Sequence, residues 1–265
     1  QYQLPVIVVS TISDGVFDTM EVGAVDFVTK PDANSPESVR AFIENLINKV
    51  KIADQVKVDT LKNKTQNQSN IKNEHDSINT NCSNKVIAIG ASTGGTKAIS
   101  SILESAPTNG PGIVITQHIP PVFSKMFADR LNESTNFKVR EAKTGDLIEA
   151  GTVLIAPGDK HMRVRKVDRR YSVECYDGAK VNGHKPSIDI LFESVAKVYK
   201  ENGIGVILTG MGYDGAKGML SMRKNGAKTI GQDEASSIVY GMPKVAYNIG
   251  AVLTQSSLDN IAKTI

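Results

Sequence analysis

A serine among glycines, a histidine ahead of two prolines and an aspartate in a glycine-dense run are the residues of this chain that could together cleave an ester or amide. Gly90-Ala91-Ser92-Thr93-Gly94-Gly95 follows an apolar run and precedes a helical stretch, matching G-x-S-x-G. Small residues let the chain reverse from strand to helix, holding the hydroxyl beside the free N–H groups of a helix N-terminus. Such N–H groups stabilise an oxyanion, but they bind a phosphate equally well, so this loop alone leaves both chemistries open. The known phosphate patterns fit poorly. Ser92 stands where the dinucleotide fingerprint needs its middle glycine, the next strand ends in Gln117-His118 rather than an acid, and Thr96 separates Gly95 from Lys97.

His118 leaves an apolar run directly and is followed by Ile119-Pro120-Pro121, which end the strand. Alone it reads as a packing or capping histidine; paired with Ser92 it reads as a general base. Asp214 sits in Thr209-Gly210-Met211-Gly212-Tyr213-Asp214-Gly215. It could cap the helix that follows, or it could orient an imidazole and stabilise its cation. A Ser-His-Asp order along the chain differs from the familiar triads and would be a separate solution to the same geometry.

The elements that must position these groups alternate between short apolar runs and helical stretches. Residues 86 to 90, 113 to 117, 153 to 156, 205 to 210 and 251 to 254 read as strands of a doubly wound, mostly parallel α/β sheet, whose ligands bind beyond the carboxyl ends of the strands. The stretch 137 to 176 breaks this rhythm with hairpin-like segments, 161 to 167 and 171 to 176, and predicts a small antiparallel extension. Before position 50 the chain predicts a strand at 4 to 10, a short helix, a strand at 24 to 29 and a helix opened by Ser35 and Pro36. In that helix Val39, Phe42, Ile43, Leu46 and Val50 share one face and read as a packing stripe. Residues 51 to 84 turn polar and read as a linker, within which His75 reads as merely solvated.

A net charge of +3 without a long basic run points away from nucleic acid and from an anionic membrane. No apolar run approaches the ~18 residues of a membrane span, and no leader pattern opens the chain. Cys82 and Cys175 make neither a disulfide framework nor a metal-ligand pattern, so a cytoplasmic location and no metal or other cofactor are expected. The absence of an initial Met suggests a cut N-terminus. His161 reads as part of a local turn. His184, Lys185, Pro186 and Ser187 read as the cap of an amphipathic helix with Ile188, Leu191, Phe192 and Val195 inward; the alternative is that His184 and Lys185 border the site and meet acidic protein surface.

With these residues assembled, positions 85 to 265 closely resemble the catalytic domain of the bacterial chemotaxis response-regulator protein-glutamate methylesterases. The resemblance rests on IGASTGG, ITQHIPP, IAPGDKHM, GHKPSIDILF, GVILTGMGYDGAKGM and ASSIVYGMP, in that order. It implies a triad of Ser92, His118 and Asp214, and an oxyanion hole using the backbone N–H of Met211, with that of Thr93 as its neighbour. It also implies hydrolysis of glutamyl methyl esters on methyl-accepting chemotaxis receptors, with deamidation of some receptor glutamines at the same site. Residues 1 to 50 resemble the second half of the family's receiver domain, a flavodoxin-like unit, through VIVVSTIS and GAVDFVTKP. Ser10 then matches the switch hydroxyl, Phe27 the switch aromatic and Lys30 the phosphate-contacting lysine. No aspartate here matches the phosphoacceptor, so the chain as given is expected not to respond to small-molecule phosphodonors. A chemotaxis histidine kinase is the implied partner of a complete receiver. Two other readings stay available: a phosphate- or nucleotide-binding module on the glycine loop, and an esterase for small metabolites.

Overall fold

In the computed structural model, which describes residues 4–11, 15–54, 56 and 84–265, the chain forms one large parallel sheet and two small accessory sheets. The N-terminal part runs β1 (Ile7–Ser10), α1 (Val16–Glu21), β2 (Asp26–Thr29) and α2 (Pro36–Ala53). Ser35 caps α2 as its sequence indicates, its side chain accepting from Ser38 N at 3.2 Å, with Pro36 in the first turn. The strands β1 and β2 pair in parallel.

The main body runs β3 (Val86–Ala91), α3 (Gly95–Ser105), β4 (Gly112–Gln117), α4 (Phe123–Ser134), β5 (Lys138–Glu141), β6 (Thr152–Ile155), β7 (His161–Val167) and β8 (Arg170–Tyr176). It continues through α5 (Ile188–Val198), β9 (Gly203–Ile207), α6 (Ala216–Lys224), β10 (Lys228–Gln232), α7 (Met242–Asn248), β11 (Thr254–Ser256) and α8 (Leu258–Thr264). The sheet order is β11-β10-β9-β3-β4-β6-β5, with every pairing parallel. From β3 the chain winds outward through β4, then returns to β3's other side through β9, so the topological switch lies at β3. The predicted hairpin is the antiparallel β7-β8 pair. Apolar side chains fill both faces of the sheet: Ile87, Ile89 and Ile115 pack on α3 and α4, while Val86, Ala88 and Val114 pack on α5 and α6.

Four expectations change. The Lys138–Glu141 segment, read from its alternation as part of the antiparallel extension, is a parallel edge strand of the main sheet. The strand Lys228–Gln232 went unrecognised because Ile230 is its one large apolar residue, although Thr229 and Gln232 are buried. The last strand falls at 254 to 256, and buried Ala251 and Val252 precede it as irregular chain. The proposed stripe on α2 is not buried: Ile43 and Val50 are about half exposed, and the buried residues of this helix are Ile52 and Ala53. The two-stranded β1-β2 sheet is too small to cover that face.

The opposite side of the N-terminal part is closed. Phe17 stacks on Phe127 of α4 at 5.7 Å, and Phe27 meets Phe123 at 4.6 Å, within one continuous apolar cluster. Arg130 Nη1 lies 2.6 Å from Asp18 Oδ1 across the same contact. The described residues of α1 and β2 therefore close part of their core against α4. The readings made for residues 57 to 83, including His75 and Cys82, lie outside the described residues.

Candidate functional site

Three neighbouring strands deliver the candidate triad. Ser92 follows β3 by one residue, His118 follows β4 by one, and Asp214 lies in the loop after β9. The ladder continues past the strand ends: Ser92 N donates to Thr209 O at 3.0 Å and His118 N to Ala91 O at 3.0 Å. Parallel pairing thus sets the spacing of the three loops before any side chain interacts.

His118 Nε2 lies 2.9 Å from Asp214 Oδ2. His118 Nδ1 is buried and has no hydrogen-bond partner among the described residues, which leaves it as the ring nitrogen free to accept a proton. The Ser92 hydroxyl is therefore not bonded to the imidazole in this state; such contacts often close only when substrate binds. Asp214 is 1 % exposed and satisfied on every side. Oδ1 accepts from Ser187 Oγ at 2.8 Å and Asn182 Nδ2 at 2.8 Å, and Oδ2 accepts from Ile188 N at 2.7 Å. Burial works to raise this carboxyl, but the His118 bond and charge, with the Asn182 and Ile188 donors, outweigh it and hold the group well below the usual carboxylate range. Asp214 does not cap α6, whose N-cap is Gly215; its carboxylate sits instead on the N-terminus of α5, where the helix dipole favours an anion.

The reversal after β3 needs Gly94, which has φ +77° and abuts Ile238; α3 starts at the next residue. Neither Thr93 N–H nor Met211 N–H has a hydrogen-bond acceptor among the described residues, and both residues line the cleft with Ser92. Thr209 Oγ1 donates to Thr93 O at 3.0 Å and fixes that turn. Gly210 approaches Ser92 so closely that a Cβ there would fall 2.6 Å from the Ser92 Cβ. Gln117, passed over in the sequence, locks the two reacting loops together by donating from Nε2 to Ser92 O at 2.9 Å and to His118 O at 3.1 Å. Its position next to His118 was the available signal.

The cleft holds about 550 Å³. His184 and Lys185 both border it, as the first half of the alternative reading has it. The His184 ring stacks on His118 at 3.8 Å and 9°. Burial above all, then the nearby His118, pushes His184 down to about 4. The Lys185 ammonium is engaged by Asp177 at 2.6 Å and Asp159 at 3.3 Å. His161 is more than a turn residue: it is buried, its Nε2 lies 2.9 Å from Ala179 O, and its Nδ1 accepts from Ser187 N at 3.2 Å. It props the loop that carries His184.

From the other side α2 borders the same cleft through Asn48, Lys49 and Ile52. Buried Asp26 joins the two parts, accepting from Thr93 Oγ1 at 2.9 Å and pairing with Lys49 at 2.6 Å. Of the receiver-like residues, Phe27 is buried against Phe123, while Ser10 is half-buried at the end of β1 and Lys30 is exposed just past β2, with Lys30 N donating to Ser10 O at 2.8 Å. Among the described residues no cluster of His, Cys, Asp and Glu could hold a metal, and no helix is long and apolar enough to cross a membrane.

Residues 87–265 match the family model described as CheB methylesterase. A protein-glutamate methylesterase/protein-glutamine glutaminase 2 of Syntrophomonas wolfei is 47% identical over 265 residues, covering 100% of this chain and 76% of that protein. The protein-glutamate methylesterase/protein-glutamine glutaminase of Escherichia coli K12 is 42% identical over 264 residues, covering 98% of this chain and 74% of its own length. Among solved structures, the catalytic domain of Thermotoga maritima CheB methylesterase superposes with a TM-score of 0.66 at 35% identity, covering 68% of this chain and 96% of that one.

Proposed function

The chain belongs to the CheB methylesterase family, and from that footing we propose that it hydrolyses glutamyl methyl esters on chemotaxis receptors with Ser92, His118 and Asp214 as its triad. The observation that carries the residue roles is the convergence of these three side chains at the carboxyl ends of β3, β4 and β9, in one cleft. His118 Nδ1 takes the Ser92 proton as Oγ attacks the ester carbonyl. The oxyanion settles on the Thr93 and Met211 N–H groups. Methanol leaves with the proton from His118, and water then attacks the acyl-enzyme by the same route, releasing the glutamate side chain and restoring Ser92. A glutamine substrate follows the same path with ammonia as leaving group, which accounts for deamidation on this site. Asp214 fixes the imidazole through Nε2 and balances its transient charge. No step calls on a metal or an organic cofactor.

In this reading residues 85 to 265 are the catalytic unit, 51 to 84 a linker, and 1 to 50 part of a receiver that a chemotaxis histidine kinase would phosphorylate. The position of α2 beside Ser92 supports a role for that part in access to the site. A phosphate-binding loop would leave His118 and Asp214 without a task. The deciding measurement is methanol release from methylated receptor membranes, with fluorophosphonate labelling mapped to Ser92. Labelling absent at Ser92, or equal turnover of free glutamate methyl ester and receptor, defeats the proposal, the second outcome in favour of a small-metabolite esterase.

A further inference from the structure

We propose that Asn182 is a positioning residue of the reaction, holding Asp214 in register by bridging it to a second buried acid, Asp189; the inference rests on the triad reading above. Val181 and His184 exchange both backbone hydrogen bonds, closing a two-residue turn at Asn182-Gly183. Both turn residues have positive φ, +53° and +82°, as a type I′ turn requires and as Asn-Gly supplies. The turn by itself explains the residue types. It does not explain where the side chain goes. Asn182 Nδ2 donates to Asp214 Oδ1 at 2.8 Å and to Asp189 Oδ2 at 2.7 Å, spending both amide hydrogens on two buried carboxyl groups. Asp189 is 4 % exposed, and its other oxygen accepts from Gly218 N at 2.7 Å, so α6 holds it in place.

Holding Oδ1 leaves Oδ2 for His118, which fixes the rotation of the carboxylate and through it the imidazole. The same turn places the His184 ring on His118. One hairpin loop therefore presents a side chain to each of two triad members. Around Asp214 stand His118 from the end of β4, Asp189 and the Ser187 hydroxyl from α5 and its cap, and His184 from the loop itself, with Lys180 of the same loop near His184. Within this set Asn182 is the neutral side chain touching both acids. Unlike Gly183 and His184, it does not line the cleft, so its loss should act on kcat and leave KM alone.

Two variants separate this role from the turn. Asn182→Gly keeps a residue suited to positive φ and removes only the amide; kcat should fall roughly ten- to hundredfold, the usual weight of a hydrogen bond to a buried charge, with KM within about twofold. Asn182→Asp keeps the size and the turn preference but puts a third carboxyl between two others. Ionised, it repels Asp214; protonated, it regains a donor. Its deficit against wild type should therefore narrow as the pH is lowered from about 8 to 6, behaviour that a mere turn residue would not show. Rates are taken per folded protein, by circular dichroism and gel filtration, in the full chain. If Asn182→Gly does not fold, the pH-dependent deficit of Asn182→Asp carries the test. A kcat within twofold of wild type for Asn182→Gly, a loss confined to KM, or an Asn182→Asp deficit identical at both pH values overturns the proposal. Ser92→Ala and Asp214→Asn run beside them: if either keeps wild-type turnover, the triad reading fails and takes this inference with it. If both are inactive while Asn182→Gly is not impaired, this inference alone fails.

Discussion

His184 should make the protein lose stability as the pH falls from about 6.5 to 4. Its imidazole is pushed from 6.5 to about 4, chiefly by burial, so within this window the unfolded chain binds a proton that the folded chain refuses. The sign follows directly: the contribution is fully present above the unfolded value and is lost as the pH drops through the folded one. A fall from 6.5 to about 4, at ~1.36 kcal/mol per pH unit, gives about 3 kcal/mol. The ring keeps some exposure at the cleft, which reduces this to roughly 1–3 kcal/mol. At about 2–4 °C per kcal/mol for a domain of this size, wild type should lose roughly 2–10 °C more than His184→Gln between pH 7.5 and 4.5. Carboxylates that titrate in the same range are common to both proteins and cancel in the difference. Thermal unfolding by circular dichroism at four pH values provides the measurement. Parallel curves for the two proteins would refute the reasoning, because they would mean that the stacked ring titrates alike in both states.

Ser92→Ala should fold as wild type and lose methanol release by about 10⁴ to 10⁶ in kcat; a wild-type rate would remove Ser92 from the mechanism. Asp214→Asn should cost about 10⁴ in kcat and also lower Tm, since one of its two acceptor oxygens becomes a donor, facing either the Asn182 amide and Ser187 hydroxyl at Oδ1 or the Ile188 N–H at Oδ2. An unchanged rate per folded molecule would leave Asp214 as a cap for α5 only. Gly210→Ala should reduce kcat by about 10²-fold, because the new methyl lands on Ser92 Cβ and Met242 Sδ, each 2.6 Å away; unaltered kinetics would show that the loop moves aside freely. The Cys175 thiol is pushed up to about 12, first by burial and then by Asp146, so in a Cys82→Ser background alkylation by iodoacetamide at pH 8 should be far slower than for a free thiol. Rapid alkylation would contradict its placement against Ala142 and Asp146.

The meeting of Ser92, His118 and Asp214 was legible because each directly follows, or lies shortly after, an apolar run, and runs of that composition alternating with helical stretches read as interior strands of a parallel sheet. Their carboxyl ends then have to meet. What stayed hidden depends on partners remote in sequence. The run Lys-Thr-Ile-Gly-Gln at 228 to 232 lacks an apolar signature because Gln232 is buried to hold Thr209 N at 2.8 Å, a task no local pattern announces. Lys-Val-Arg-Glu at 138 to 141 alternates because it is an edge strand with one covered face, and alternation says nothing about whether its neighbour runs parallel. The stripe on α2 has the right period and is still only partly covered, with Ile43 and Val50 exposed, since periodicity reports an amphipathic helix and not the surface that covers it. Asp214 precedes a helix and was open to reading as that helix's cap; it caps a different one, twenty-odd positions earlier in the chain, which only the tertiary fold could reveal.

That displaced cap ties the geometry of the proposed triad to the packing of the sheet. The acid's donors Ser187 and Ile188 open α5, and α5 is held down by Ile188, Leu191, Phe192 and Val195 against the face of the sheet formed by Val86, Ala88 and Ile207. The contact is tight where the strand that leads to Ser92 passes beneath: a Cβ at Gly90 would abut Ile188 Cγ2 and lie 3.1 Å from Phe192 Cζ. Gly90 lies two residues before Ser92, and Ile188 donates its backbone N–H to Asp214. A single apolar contact therefore sets the separation between the strand that aims the serine and the helix that aims the aspartate. Interiors packed at this density transmit displacement rather than absorb it. The glycine at position 90 is required by the approach of α5, and the alignment of Ser92, His118 and Asp214 is to that extent a property of the core.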